Sequence, residues 1–136
     1  MTIVYAQEQS LSVADYVSVL GETTMRSKRP LANTERIGRM LAGANFIVTA
    51  RENGIILGLA RCISDEAWIA YCAELAVRES AQGRGIGAGI IAKARELLGP
   101  GIGLLLVSEQ EAIGFYERIG MARLDRGFFH ERSDRS

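Results

Sequence analysis

Glu74-Leu75-Ala76-Val77, then Gln82-Gly83-Arg84-Gly85-Ile86-Gly87-Ala88-Gly89, decides how the chain folds: a strand-like run, a loop with glycine at alternate positions, and a helical pattern continuing to about Leu98. Glycine in a helix costs roughly 0.5–1 kcal/mol relative to alanine. Gly85, Gly87 and Gly89 together therefore give up about 1.5–3 kcal/mol of a net stability that is typically about 5–15 kcal/mol. Something needs the backbone bare there. Without Cβ atoms, successive N–H groups and the positive end of the helix dipole can close around an anion, a phosphate or pyrophosphate before others. Close packing of the helix on the preceding strand is the competing reason, and it would account for two of the glycines more readily than for four.

The 136 residues fit one domain with a core of its own. Hydrophobic content of 48% and a mean hydropathy of +0.08 place the chain among soluble globular proteins. Sixteen basic residues balance sixteen acidic ones, so no global field draws it to nucleic acid or membrane, and neither is expected as a partner. Cys62 and Cys72 lie in apolar runs without C-x-x-C spacing and read as buried, reduced thiols. The N-terminus lacks the basic and apolar regions of a signal peptide, and no apolar run approaches the roughly eighteen residues of a membrane span. A cytoplasmic protein is expected.

Upstream of the glycine loop, Ile3-Val4-Tyr5 reads as a first strand. Ser10 or Ser12 can cap a helix carrying Leu11, Val13, Tyr16, Val17 and Leu20. Residues 21–34 are the least regular stretch, with Arg26, Lys28 and Arg29 ahead of Pro30, and Thr34 is expected to cap a helix over residues 35–41. Strands at residues 46–50 and 54–63 are joined by a turn containing Asn53-Gly54, a strong hairpin signal. A further turn at Ser64-Asp65-Glu66 leads to a strand over residues 68–77, so a three-stranded antiparallel meander precedes the loop. After it, apolar positions 86, 90, 91, 94, 97 and 98 form the stripe of an amphipathic helix ended by Gly99-Pro100-Gly101. Leu104-Leu105-Leu106-Val107 has the continuous apolar pattern of a central strand buried on both faces. Residues 111–119 read as a short helix, residues 121–130 as a last strand or hairpin, and 131–136 as a polar tail. One domain over residues 1–130 is expected.

Two segments resemble the GNAT family of N-acetyltransferases. Gln82-Gly83-Arg84-Gly85-Ile86-Gly87 matches the family's Q/R-x-x-G-x-G/A between strand and helix. Ala112-Ile113-Gly114-Phe115-Tyr116-Glu117-Arg118-Ile119-Gly120-Met121 matches its A-x-x-F-Y-x-x-x-G-F/M. The resemblance implies a mixed α/β fold with a mostly antiparallel sheet, about four flanking helices, and fourth and fifth strands that splay apart to admit acetyl-coenzyme A. It places the pyrophosphate on the amides of residues 82–88. Leu75, Ala76, Val77 and Phe115 then lie along the pantetheine arm, with an amide near Leu75 facing the thioester oxygen. Glu109 stands where the family often has asparagine, so its contact to the cofactor arm is open, and facing the acceptor is the alternative.

A primary amine with pKa near 10.4 is protonated at pH 7, and removing the proton costs about 4–5 kcal/mol. A base or an apolar pocket must assist. By the resemblance, Glu74 is the candidate base, against the alternative of an ion-paired carboxylate. Tyr116, a phenol ionising near pH 10, is the candidate acid for the departing thiolate, against packing beside Phe115. Arg26 and Arg29 are candidate contacts for a carboxylate on a small-molecule or peptide acceptor, against a merely solvated loop. No metal is expected: His130 is the only histidine, and no cluster has zinc-ligand spacing. A homodimer is expected by family resemblance and through an edge strand at residues 121–129. Three other readings remain: a non-catalytic acetyl-coenzyme A sensor, transfer of a longer acyl chain, and a nicotinamide-binding Rossmann domain. Gly83-x-Gly85-x-x-Ala88 formally fits the fingerprint of the last, but it follows a mostly antiparallel pattern instead of a first strand.

Overall fold

A computed structural model of the chain describes residues 2–134. Arg135 and Ser136, the end of the expected polar tail, lie outside the described residues. Five strands, β1 (Ile3–Glu8), β2 (Phe46–Glu52), β3 (Ile55–Ser64), β4 (Ile69–Val77) and β5 (Gly103–Leu106), form one sheet in sequence order. The first four are antiparallel, and β5 runs parallel to β4. This is the mixed, mostly antiparallel sheet expected. A parallel, doubly wound sheet is excluded.

Local chemistry accounts for most element boundaries. Helix α1 (Val13–Leu20) starts where the Ser12 side chain accepts from the Asp15 N–H at 3.0 Å. Helix α2 (Thr34–Gly43) is capped by Asn33, which accepts from the Arg36 N–H at 3.1 Å, so Thr34 is its first residue and not its cap. Asn53 and Gly54 have φ of 52° and 78°, the pair of left-handed residues that matches a two-residue hairpin to the twist of β2 and β3. At the next turn Asp65 Oδ1 accepts from the amides of Ala67, Trp68 and Ile69 at 2.7–3.0 Å.

The sheet is covered on both faces. Tyr16, Val19 and Leu20 of α1 and Ile37 and Leu41 of α2 pack on Ile47, Ile56, Leu59 and Ala76. On the other face Ile86, Ile90 and Ala94 of α3 (Ile86–Leu98) pack on Phe46, Val48, Ala60, Cys62 and Cys72. Cys62 and Cys72 are free, buried thiols facing one another across β3 and β4.

Two further expectations fail. The apolar run at residues 104–107 is not a central strand: β5 is last in the sheet order, and only Leu104 and Leu106 pack on the α3 side, while Leu105 is 37% exposed. Residues 121–130 contain a turn but no strand. Arg123, Asp125, Arg126 and Gly127 interrupt the apolar positions there, so the alternation a half-buried strand needs is missing. The edge pairing that suggested a dimer therefore lacks its strand.

The backbone divides into two compact units, one ending at Leu106 and one starting at Val107. The second holds helix α4 (Ile113–Arg118), preceded by a 3-10 turn at Gln110–Ala112.

One of the four glycines of the loop and helix is explained by packing. A Cβ on Gly89 would lie 2.5–2.6 Å from the ring and hydroxyl of Tyr5. Gly89→Ala should destabilise by about 1–2 kcal/mol, the strain of overpacking net of the gain in helix propensity. A melting temperature lowered by several degrees in the wild-type background, and unchanged in a Tyr5→Ala background, would establish the contact.

Candidate active site

Strand β4 changes face at a bulge. Arg61 pairs with Glu74 but Cys62 pairs with Cys72, so Ala73 is the extra residue. Cys72, Leu75 and Val77 pack on the α3 side, while Ala76 packs with α1 and α2 and Glu74 bonds the α1 residue Tyr16. Without the extra residue, alternation would put Cys72 and Glu74 on one face. The bulge also marks where β4 and β5 part. Their pairing ends at Cys72 with Leu106, and residues 73–77 have no strand on that side among the described residues. β5 itself ends at Leu106, so the sheet opens at the place where the splay of the fourth and fifth strands is expected, and Leu75, Ala76 and Val77 lie along the open edge of β4.

The chain then turns through Glu79–Ala81 into the glycine loop. Gln82, Gly83, Arg84 and Gly85 are exposed. Gly83 and Gly85 have φ of 83° and 76°, and a Cβ on either would meet nothing within 4 Å. These two are glycine for backbone conformation, in open space, unlike Gly89. Gly85 occupies the N-cap of α3 and offers no capping side chain. The Gly89 N–H is bonded to the Gly85 carbonyl at 3.0 Å, so by helix geometry the amides of Ile86, Gly87 and Ala88 have no partner within the helix. A loop with bare glycines at 83 and 85, facing solvent at the positive end of a thirteen-residue helix, has the chemistry to receive phosphate oxygens. Gln82 braces it by donating from Nε2 to the Val77 carbonyl at 3.1 Å, and Arg84 Nη2 pairs with Glu52 at 2.7 Å.

Glu74 is buried, 4% exposed, and its carboxylate is fully engaged. It accepts from Tyr16 Oη at 2.7 Å, from Arg29 Nε at 3.0 Å, from Arg61 Nη2 at 2.9 Å and from Arg61 Nε. Burial by itself would push this carboxyl up. The hydrogen bond from Arg61, the charges of Arg61 and Arg29 and the Tyr16 hydroxyl outweigh it and hold Glu74 below the usual carboxylate range. Burial raises the Tyr16 phenol, and the adjacent Glu74 charge raises it further. Such an environment makes Glu74 a weak base, because a proton could reach it only by displacing a guanidinium or the phenol.

Arg29 is equally committed, donating from Nη1 to the Lys28 carbonyl and from Nη2 to the Ala73 carbonyl, both at 3.0 Å. Its guanidinium is therefore tied to the protein and not held out for an acceptor carboxylate. Arg26 is exposed on the 3-10 turn Thr24–Ser27. The Tyr16–Arg61–Glu74–Arg29 cluster was not read from the sequence. Alternation on β3 and β4 places Arg61 opposite Glu74, but only the fold brings Tyr16 and Arg29 to them.

Glu109, Phe115 and Tyr116 belong to the second unit. Glu109 is half-buried and precedes the 3-10 turn, its carbonyl accepting from the Ala112 N–H at 3.0 Å. The rings of Phe115 and Tyr116, both half-buried on α4, stand edge to face with centroids 5.0 Å apart.

A family model described as an acetyltransferase (GNAT) domain matches residues 42–120. The chain belongs to the GNAT family of acetyltransferases. The match spans the β2–β3 hairpin, the β4 bulge, the glycine loop and α4, the segments just described. No curated protein matches the sequence. Among solved structures, a GNAT-family acetyltransferase from Streptococcus pneumoniae TIGR4 superposes with a TM-score of 0.73 at 18% identity, over 98% of this chain and 100% of that one. An acetyltransferase from Trypanosoma brucei gives 0.70 at 18%, over 96% and 100%. An aminoglycoside acetyltransferase from an uncultured soil metagenomic sample gives 0.71 at 21%, over 98% and 100%. At these identities the likeness is one of fold. Among the described residues of this GNAT chain, no helix is long and apolar enough to cross a membrane, and no group of three or more His, Cys, Asp or Glu side chains could hold a metal ion.

The Glu74 cluster predicts a pH dependence. A carboxyl whose pKa is lower folded than unfolded contributes stability that is complete above the unfolded value, about 4.3, and is lost as pH falls through the folded value. Glu74→Gln should remove about 3 kcal/mol at pH 7, by leaving the buried Arg61 and the half-buried Arg29 without their counter-charge. Urea titrations at pH 7 and pH 3 should show that difference shrinking in acid.

Proposed function

We propose that this protein is an acetyl-coenzyme A-dependent N-acetyltransferase acting on a primary amine of a small molecule or peptide, with residues 1–130 as its catalytic domain. The observation that carries the proposal is the bare glycine loop at the N-terminus of α3, directly after the length of β4 that β5 leaves. The donor set fits the cosubstrate used across the family: the amides of Gln82, Gly83, Arg84, Gly85, Ile86, Gly87 and Ala88 would take the pyrophosphate, where Gly83 and Gly85 keep space open. Leu75, Ala76 and Val77 would hold the pantetheine arm, and Phe115 and Glu109 are carried over from the family resemblance as further cosubstrate contacts. When bound, acetyl-coenzyme A supplies the acetyl group as an activated thioester.

In this reading the chain's own residues have limited tasks. A backbone N–H near Leu75 stabilises negative charge on the acyl oxygen. Tyr116 carries a phenolic proton to return to the leaving sulfur. Glu74 is an anchor and not the base expected from the sequence, since its lone pairs already serve Tyr16, Arg29 and Arg61. The amine then loses its proton to water at the splay, helped by the low polarity of Leu75 and Val77. Arg26 is the remaining candidate contact for an acceptor carboxylate. Balanced charge and the buried free thiols Cys62 and Cys72 support a cytoplasmic enzyme.

Melting with acetyl-coenzyme A, coenzyme A and NADH tests the reading. A ligand at about a hundred times its dissociation constant adds roughly 2.7 kcal/mol, so the coenzyme A species should raise the melting temperature by several degrees and NADH should not. A rise with NADH alone would sink the proposal. Binding without transfer to any amine tested would identify an acetyl-coenzyme A sensor instead.

Gly85→Val should weaken acetyl-coenzyme A binding by at least about tenfold, or 1.4 kcal/mol, in calorimetry on a variant that still melts cooperatively. Tyr116→Phe should lower kcat by about a hundredfold and leave cosubstrate affinity unchanged. A lowered melting temperature with unchanged kcat would show instead that Tyr116 only packs on Phe115.

A further inference from the structure

Residues 21–33, between α1 and α2, contain one 3-10 turn and no strand, yet they are fastened at two places, to β4 and to Arg78, the residue that follows it. Both fastenings are guanidinium groups, and they fall at the two ends of the length of β4 that β5 leaves. At the C-terminal end, Arg78 donates from Nε to the Ile56 carbonyl at 3.1 Å and from Nη2 to Ser18 at 2.7 Å, and it pairs with Glu22 through Nη1. At the bulge, Arg29 reaches three acceptors in three directions: the Lys28 carbonyl in its own loop, the Glu74 carboxylate, and the carbonyl of the bulged residue Ala73.

The third of these contacts matters most. A bulged residue is dropped from the ladder, and its backbone groups need partners elsewhere or the strand relaxes toward regular pairing. Here that partner is a side chain arriving from the α1–α2 loop. The bulge in turn sets which residues face α1 and which face α3, and so where the edge at residues 73–77 is aimed.

We propose that Arg29 is a positioning residue of the active site: its guanidinium holds the Ala73 bulge in shape and docks the Lys28–Arg29 end of the α1–α2 loop beside the free edge of β4. The proposal rests on the reading of that edge as the acetyl-transfer site. It assigns Arg29 a role through the backbone in place of the acceptor contact expected from the sequence. Arginine is required because its planar fork reaches separate acceptors at once, whereas a lysine ammonium can keep the charge pairing with Glu74 but not all three contacts.

Arg29→Lys, compared with Arg29→Met in the full chain by hydrogen exchange with and without acetyl-coenzyme A, tests the assignment. The lysine variant should recover most of the melting temperature lost in the methionine variant. Its amides at residues 73–77 should exchange about tenfold faster than in the wild type, and those of the β2–β3 hairpin should stay within about twofold. Acetyl-coenzyme A should still protect residues 82–89 in the lysine variant but should no longer add protection at residues 73–77. Wild-type protection at residues 73–77, or acceleration spread evenly over the chain, would overturn the proposal, the latter by reducing Arg29 to a general stabiliser. Absence of protection at residues 82–89 in the wild type would instead overturn the acetyl-transfer reading, and the positioning role would fall with it.

Discussion

Two guanidinium groups and one phenol converge on a single buried carboxylate, and much of the site depends on that constraint. Removing Glu74 from water carries a penalty of several kcal/mol that only close, well-directed donors can offset. Tyr16 of α1, Arg61 of β3 and Arg29 of the α1–α2 loop supply them. Because the donors come from three separate elements, satisfying one charge also fixes the helix, the sheet and the loop relative to one another. The same saturation that makes Glu74 a good anchor makes it a poor acceptor of a proton, so its place beside the splayed edge is better understood as architecture than as catalysis.

The bulge at Ala73 links this cluster to the opening of the sheet. One extra residue turns Glu74 toward α1 and returns Leu75 and Val77 to the α3 side, and β5 pairs with β4 only up to Cys72. Backbone groups that a continuous sheet would consume are thereby left at an edge, next to the loop that opens α3. In this way an irregularity in one strand leaves unpaired backbone donors beside the apolar side chains of Leu75 and Val77, the setting on which the proposed acetyl transfer relies.

The glycines show how one pattern can carry two causes. Gly83 and Gly85 adopt left-handed conformations in open space, which is consistent with the proposed phosphate loop. Gly89 is bare because the Tyr5 ring occupies the place of its side chain. Read from the sequence alone, the packing reason and the anion reason are indistinguishable, since both ask only for the absence of Cβ.

The sequence by itself determined what local chemistry can encode. Asn53-Gly54 specified the hairpin, period 2 and period 3.6 placed β2, β3, β4, α1 and α3, and the glycine loop with the Phe115-Tyr116 segment carried the family. These signals lie within a few residues of the structure they specify, so they survive without tertiary context. Only the tertiary structure decided that β5 sits at the end of the sheet, because an apolar run of four reports burial but not which neighbour provides it. It likewise decided that residues 121–130 form no strand and that Asn33, not Thr34, caps α2. Above all it decided the partners of Glu74 and Arg29, separated by 45 positions along the chain. Whether a carboxylate is a base or an anchor depends on which donors reach it, and no local pattern contains that information.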